Sequence, residues 1–241
     1  MSGKPKVSVI VTLYNYKEYI KDCIESFLGQ ILCDSEMVIV DDGSTDNPLS
    51  VIQSYISDRI RYLKLKDNTN YSHAKNVGIK HSRADVIAML DADDMLTVNG
   101  LSVRYEKLME GYDLVHGPCV RLEKNGTFIR DAMWEKWLRT QDPLWIHAQG
   151  FMLRKKIHKK IGLYDTWFWS QGDREMLLRI GCCGFRIGTV EEDVAIYRIH
   201  KRQMHKSDKK KKARKKLDQR MRSVLAKRRN RKDLSGLEML K

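Results

Sequence analysis

Short β-branched runs alternate with stretches of helical spacing along residues 7–90. Val7-Ser-Val-Ile-Val11 and Met37-Val-Ile-Val40 read as buried strands, with a third over residues 60–65 and a fourth over 85–90. Between them, residues 18–30 place Tyr19, Ile20, Cys23, Ile24, Phe27 and Leu28 at helical spacing. Residues 47–57 and 73–81 also suit helices. This β-α-β-α-β-α-β order predicts an α/β fold, a mostly parallel central sheet flanked by helices on both faces. In open sheets of this class, ligands bind at the C-terminal strand ends.

Farther along, the rhythm is less regular. Residues 98–110 predict a helix with Leu101, Tyr105, Leu108 and Met109 as its apolar face. Residues 112–130 read as short strands with a hairpin turn at Lys124-Asn125-Gly126. Residues 132–140 are ambiguous, although a helix would put Trp134 and Trp137 on one face. A strand at 147–153, helices at 157–161 and 173–180, an edge strand at 185–188 and a last strand at 194–199 complete the core. Within 213–228, Leu217, Met221, Val224 and Leu225 form a narrow apolar stripe on a segment covered by Lys and Arg.

A chain of 241 residues with 42% hydrophobic content suffices for one large domain with an appendage. Its net charge of +14 points to a nucleic-acid partner until the charge is located. Residues 201–232 hold 17 Lys and Arg against Asp208 and Asp218, so the rest of the chain carries a net charge of −1. A nearly neutral body and a basic tail therefore need separate explanations. The five cysteines show no CxxC pair and no ligand-like spacing, as in a reduced intracellular protein. No apolar run is long enough for a membrane span, and none marks a secretory leader, so neither an integral membrane protein nor a secreted precursor is expected.

Polar and acidic residues stand where the strands end. No GxGxxG follows the first strand and no GxxxxGK occurs, which argues against a dinucleotide fold and a P-loop ATPase. Instead Asp91, Asp93 and Asp94 crowd the end of the fourth strand. Three acids in four positions repel one another unless a cation is present. A hard divalent ion, Mn²⁺ or Mg²⁺, takes such oxygens and completes its shell with phosphate and water. Asp42, in Asp41-Asp42-Gly43-Ser44, can accept from a base N–H or a ribose hydroxyl, or the segment can form an Asx turn or helix cap. Tyr14, beyond Thr12 and the first strand, either stacks on a base or packs in the core. Lys75 can reach a base carbonyl or a phosphate, or lie on the surface. Asp173 opens a helix after the aromatic loop Trp167-Phe168-Trp169 and is a candidate general base. Glu175 is the alternative base, and helix capping is the plain alternative for Asp173. His200 ends the last strand and can offer an imidazole to the metal, better suited to Mn²⁺ than to Mg²⁺. Arg198, Lys201 or Arg202 can neutralise a departing diphosphate.

Together these segments resemble family 2 glycosyltransferases of the GT-A, nucleotide-diphospho-sugar-binding fold. Val7-Ser-Val-Ile-Val-Thr-Leu-Tyr-Asn15 is similar to the family's opening strand, and Val40-Asp-Asp-Gly-Ser-Thr-Asp46 to its second motif. Ala74-Lys-Asn-Val-Gly78 resembles its ARNxG-like helix, and Ala88-Met-Leu-Asp-Ala-Asp-Asp94 its DxD motif. Residues 150–165 resemble its acceptor-side segment, and the likeness covers residues 6–205. The resemblance implies a GT-A domain over 1–205, with a nucleotide-binding half at 1–97, an acceptor-binding half at 98–205 and a basic tail at 206–241. It implies a metal-dependent, inverting transfer from a nucleotide-sugar donor, expected to be a UDP-sugar, to a hydroxyl of a glycan or lipid-linked acceptor. Asp42 would bind the base, assisted by Thr12 and Lys75. Asp91 and Asp93 would hold the ribose and the metal–diphosphate, with Asp93 the direct ligand, and Asp173 would deprotonate the acceptor. Two positions depart from the family pattern: Gly172-Asp173 stands where Glu-Asp is frequent, and Lys75 where Arg is. A cytoplasmic enzyme is expected, with residues 201–232 suited to an anionic membrane surface. The competing readings are a nucleotidyltransferase, a nucleic-acid-binding protein acting through its tail, and a binding module without turnover.

Overall fold

A computed structural model describes residues 3–142, 145–169 and 171–203, with Lys215 and Gln219. The basic tail expected at 206–241, and the stripe of Leu217, Met221, Val224 and Leu225, lie outside the described residues apart from Lys215 and Gln219. The first four strands are β1 (Val7–Leu13), β2 (Ser35–Asp41), β3 (Ile60–Lys64) and β4 (Val86–Asp91). They pair in parallel in the order β4-β1-β2-β3. The helices between them are α1 (Ile20–Leu28), α2 (Leu49–Ile52) and α3 (Tyr71–His81). All seven residues of β1 and of β2 are buried, which is why both strands read as continuous apolar runs rather than alternating ones.

The rest of the chain enlarges this sheet and adds a second. After the two-residue β5 (Met95–Leu96) and α4 (Gly100–Met109) come β6 (Leu114–His116), β7 (Cys119–Leu122) and β8 (Phe128–Arg130). Then follow α5 (Ala132–Thr140), β9 (Phe151–Arg154), α6 (Ile157–Ile161), α7 (Gly172–Cys182), β10 (Ile187–Thr189) and β11 (Ala195–Arg198). The main sheet runs β10-β6-β9-β4-β1-β2-β3, and β9 lies antiparallel to both β4 and β6. β10 is its edge strand, as the pattern at 185–188 predicts. The last strand, β11, belongs instead to a small sheet of order β5-β11-β7-β8, pairing parallel to β7 and antiparallel to β5. The expected hairpin is the antiparallel β7–β8 pair, and its turn glycine, Gly126, has φ +82°.

Two cores cover the faces of the main sheet. Val7, Val9 and Val11 of β1 pack with Ile20, Cys23, Ile24 and Phe27 of α1 and with Leu101 and Leu108 of α4. Ile10 points the other way, into a cluster with Ile79 of α3, Trp134 and Trp137 of α5, Ile157 of α6 and Met176, Leu177 and Ile180 of α7. The ambiguous segment 132–140 is thus a helix, fixed by its two tryptophans and capped by Asp131, whose side chain accepts from Met133 N–H. α3 lies unusually close to the sheet: a Cβ at Gly78 would sit 2.3 Å from Ile10 Cγ2. Strand register then prepares the site. Thr12 is level with Asp91 across the β1–β4 pair, and Leu13 with Asp41 across β1–β2, so their polar ends share one edge.

Candidate active site

A cavity of about 650 Å³ opens at that edge. Thr12, Tyr14, Asp42, Tyr71, Asp91 and Asp93 are among its lining residues. Tyr14 is 42% exposed at this opening and is therefore not a core residue.

Asp42 is 3% exposed, and its carboxylate is largely engaged by the loop before α3. Its Oδ1 accepts from the N–H and Oγ1 of Thr69 at 2.9 and 2.6 Å, and its Oδ2 from Asn70 N–H at 2.9 Å. Three bonds occupy most of a carboxylate's acceptor capacity and leave about one position for a ligand. Asn70 has φ +125°, a strained value for a residue other than glycine, and its side chain caps α3 by accepting from His73 N–H. The loop that supports Asp42 is therefore itself tied to the helix that follows.

The acidic cluster at the end of β4 is divided between several partners. Asp91 Oδ1 lies 3.3 Å from Thr12 Oγ1 and 3.7 Å from Lys75 Nζ, and its Oδ2 accepts from Gln149 Nε2 at 2.6 Å. Gln149 is positioned by the fully buried Arg104, whose Nη1 donates to Gln149 O at 3.1 Å and whose Nε donates to Gly100 O at 2.6 Å. Asp93 Oδ2 stands 2.9 Å from His200 Nε2, while His200 Nδ1 accepts from Arg202 N–H at 3.2 Å. The Tyr19 ring lies 4.4 Å from the imidazole, between centroids. Asp94 Oδ1 accepts from Arg198 N–H at 2.9 Å, and its buried Oδ2 has no partner among the described residues. Burial first, and then the charge of Asp91, raises the Asp93 carboxyl above its ordinary range, against the pull of His200. Burial, followed by Asp93 and Asp91, pushes Asp94 up further. Arg198 was a candidate for neutralising a diphosphate, but its guanidinium is committed to this cluster. Nη2 binds Asp22 Oδ2 at 2.6 Å and Nε binds Asp93 O at 3.1 Å. Arg202 does line the cavity, anchored to Glu18 at 2.8 Å and to Asn15 O at 3.2 Å.

These residues suit a divalent ion. Asp93 Oδ2 and His200 Nε2 stand side by side at 2.9 Å, an oxygen and an imidazole nitrogen of the kinds that would hold such an ion. Burial, more than mutual repulsion, disfavours the charged forms of Asp93 and Asp94, and a bound cation would offset that cost. Among the described residues no group of three or more His, Cys, Asp or Glu forms a closed metal cage. The remaining ligands would therefore come from diphosphate oxygens and water, as is usual where Mg²⁺ meets a phosphate substrate.

Lys75 goes to the carboxylates rather than to the base side. It is fully buried, and its Nζ bonds Asp173 Oδ1 at 2.8 Å as well as facing Asp91. Burial alone would depress this ammonium, but Asp173 and Asp91 together overcome it and raise its pKa. Asp173 opens α7 beside the cavity wall, where Tyr71 Oη accepts its N–H at 3.2 Å. Glu175, the alternative base, is fully buried and binds Arg179 through both oxygens, at 3.0 Å from Nε and 2.8 Å from Nη2. That is a structural ion pair turned away from solvent. Gly172 stands against Ser72 Oγ and Tyr71 Oη, which would lie 2.5 and 2.7 Å from an added Cβ, so the position has no room for an acid in this chain. Gln149 and Tyr71 escaped the sequence reading because their contacts with Asp91 and Asp173 span 58 and 102 residues, and Tyr164 because no local motif marks its bond to Asp173, nine residues on.

A family model described as Glycosyl transferase family 2 matches residues 8–177. The chain is similar to an uncharacterized glycosyltransferase of Nostoc sp., 31% identical over 223 residues, which is 84% of this chain and 67% of that protein. It is also similar to the GalNAc(5)-diNAcBac-PP-undecaprenol beta-1,3-glucosyltransferase of Campylobacter jejuni, 35% identical over 133 residues, covering 53% of this chain and 42% of that one. The chain thus spans about two thirds of the first relative's length and less than half of the second's. Among solved structures, S. aureus TarS 1–349 in complex with UDP-GlcNAc matches with a TM-score of 0.75 at 18% identity, over 92% of this chain and 71% of that one. At that identity the likeness speaks for the fold.

Proposed function

The chain belongs to glycosyl transferase family 2, and from that membership we propose that it moves a sugar from a UDP-sugar to a hydroxyl of a glycan or lipid-linked acceptor, with inversion and with the help of a divalent metal ion. It is a glycosyltransferase. The observation that carries this reading is the convergence of Thr12, Asp42, Asp91 and Asp93 on one cavity, with His200 against Asp93 and Asp173 just behind Tyr71. The UDP-GlcNAc complex of TarS supports a uridine donor, and the undecaprenol-linked name of the Campylobacter relative supports a lipid-linked acceptor.

Each residue then has a task. The free position on Asp42 and the face of Tyr14 receive the base. Asp91, held by Thr12, Lys75 and Gln149, orients the ribose and diphosphate. Asp93 and His200 would hold the metal ion, which when bound would supply positive charge against the departing diphosphate. Asp173 accepts the proton of the acceptor hydroxyl as that oxygen bonds to the anomeric carbon and the bond to the diphosphate breaks. Arg202 adds a fixed positive charge at the cavity. No helix among the described residues is long and apolar enough to cross a membrane. The charge of residues 201–232 suits contact with an anionic membrane surface. A nucleotidyltransferase is not favoured, because its glycine-rich basic loop after the first strand is absent from Thr12 to Lys17.

The test is nucleotide release from a panel of UDP-, GDP- and dTDP-sugars with Mn²⁺ or Mg²⁺ and with water or lipid-linked saccharides as acceptors. Release from a UDP-sugar that is lost in Asp173→Asn supports the reading. Absence of both release and donor binding across the panel would sink it.

A further inference from the structure

Asp173 is held by groups from outside its own helix. Lys75 Nζ and Tyr164 Oη both donate to Asp173 Oδ1, at 2.8 and 3.1 Å. Tyr71 Oη accepts the Asp173 N–H, and Tyr71 and Lys75 sit one turn apart on α3. The carboxylate keeps 15% exposure, and among the described residues nothing bonds its Oδ2. Lys75 and Tyr164 are themselves buried, at 0% and 3% exposure, and the ammonium lies 4.8 Å from the centre of the Tyr71 ring and 5.6 Å from that of Tyr164. A compact ammonium can bind one oxygen without covering the other, unlike the two-pronged grip of a guanidinium.

We propose that Lys75 and Tyr164 are positioning residues for the base: they pin Oδ1 of Asp173 so that Oδ2 alone receives the acceptor's hydroxyl proton, and Lys75 ties that carboxylate to Asp91 on the donor side. This rests on Asp173 being the base, as proposed above. A carboxylate free to rotate about its last bond would offer its lone pairs in many directions. Two fixed donors on one oxygen remove that freedom before the acceptor arrives, which is where orientation contributes to rate. The 3.7 Å contact to Asp91 links the same ammonium to the carboxylate on the donor side.

The experiment uses the full chain, UDP as the binding probe and nucleotide release, with water as acceptor, from the UDP-sugar that the panel selects. Lys75→Met is expected to lower kcat about 100-fold and, because Lys75 also faces Asp91, to weaken UDP as well, whereas Tyr164→Phe is expected to lower kcat about 10-fold while UDP affinity and donor KM move by no more than about 3-fold. Lys75→Arg, which keeps the charge but brings a fork that can cover both oxygens, is expected to stay within about 3-fold of Lys75→Met. Unchanged kcat in Lys75→Met and Tyr164→Phe, or losses that merely follow UDP affinity, would overturn the proposal. If Lys75→Met fails to fold, Tyr164→Phe decides. Asp173→Asn separates the two levels: if it retains turnover, the base assignment fails, whereas a dead Asp173→Asn beside an active Lys75→Met and Tyr164→Phe removes only the clamp.

Discussion

Replacing Glu175 with Gln removes one charge from a pair buried inside α7. The Glu175 side chain is 0% exposed and that of Arg179 is 9% exposed, so solvent does little to screen the change. Losing one partner of such a pair costs about 3–5 kcal/mol, because the other charge stays buried without its counterion. Glutamine keeps one acceptor oxygen for the guanidinium, and Arg179 keeps its bonds to the carbonyls of Ile161 and Leu163, so the lower end applies. A loss of about 3 kcal/mol lowers Tm by about 6–12 °C in a chain of this size. Urea denaturation gives the stability change, and nucleotide release measured well below the melting range gives turnover per folded molecule. The expected result is a destabilised protein with near-parental kcat, whereas Asp173→Asn should show the reverse. Loss of turnover in Glu175→Gln at unchanged stability would refute the division of roles and make Glu175 the base.

The packing of α3 on β1 makes a second prediction: Gly78→Ala costs about 1–3 kcal/mol by forcing Ile10 aside, exceeding the gain of up to about 1 kcal/mol that alanine brings to a helix. A urea midpoint equal to or above the parent's would contradict that packing. A third concerns acid. Burial drives the His116 imidazole down to about 3, so the folded state holds it neutral while the unfolded chain protonates it near its ordinary value. The unfolded state binds more protons below that value, so stability from this residue is lost as pH falls from about 6.5 towards 3, at about 1.4 kcal/mol per pH unit. His116→Leu should show a smaller drop in urea midpoint between pH 7 and pH 5 than the parent does.

The parallel half of the fold was legible because β1, β2 and β4 are buried on both faces and so announce themselves as unbroken apolar runs. The second half was less so. The 147–153 run reads as a strand, but Ala148–Gly150 form a 3-10 turn and the strand is Phe151–Arg154, and nothing in the run says that β9 inserts antiparallel between β4 and β6. Residues 194–199 likewise read as a strand without revealing that β11 leaves the main sheet to pair with β7 and with a two-residue β5 too short for any pattern. In the site, acids at strand ends could be named in advance because ligand edges in α/β sheets are predictable. Partnerships could not. Lys75 looked like a base or phosphate contact, and only the packing of α3 against α7 brings it to Asp173. Arg198 looked available to a diphosphate until Asp22, 176 residues away, claimed its guanidinium. Gln149 carried no signal, since its role depends on a buried arginine from α4.

Asp93 and His200 as the protein's grip on a metal–diphosphate can be tested most directly by calorimetric binding of UDP, with Mn²⁺ and after chelation by EDTA. In the parent chain, chelation should weaken UDP about 10–100-fold, the range seen when metal-site residues are disturbed. Asp93→Ala and His200→Ala should bind UDP weakly and respond little to Mn²⁺. UDP affinity in the parent chain that is the same with and without Mn²⁺ would contradict the account.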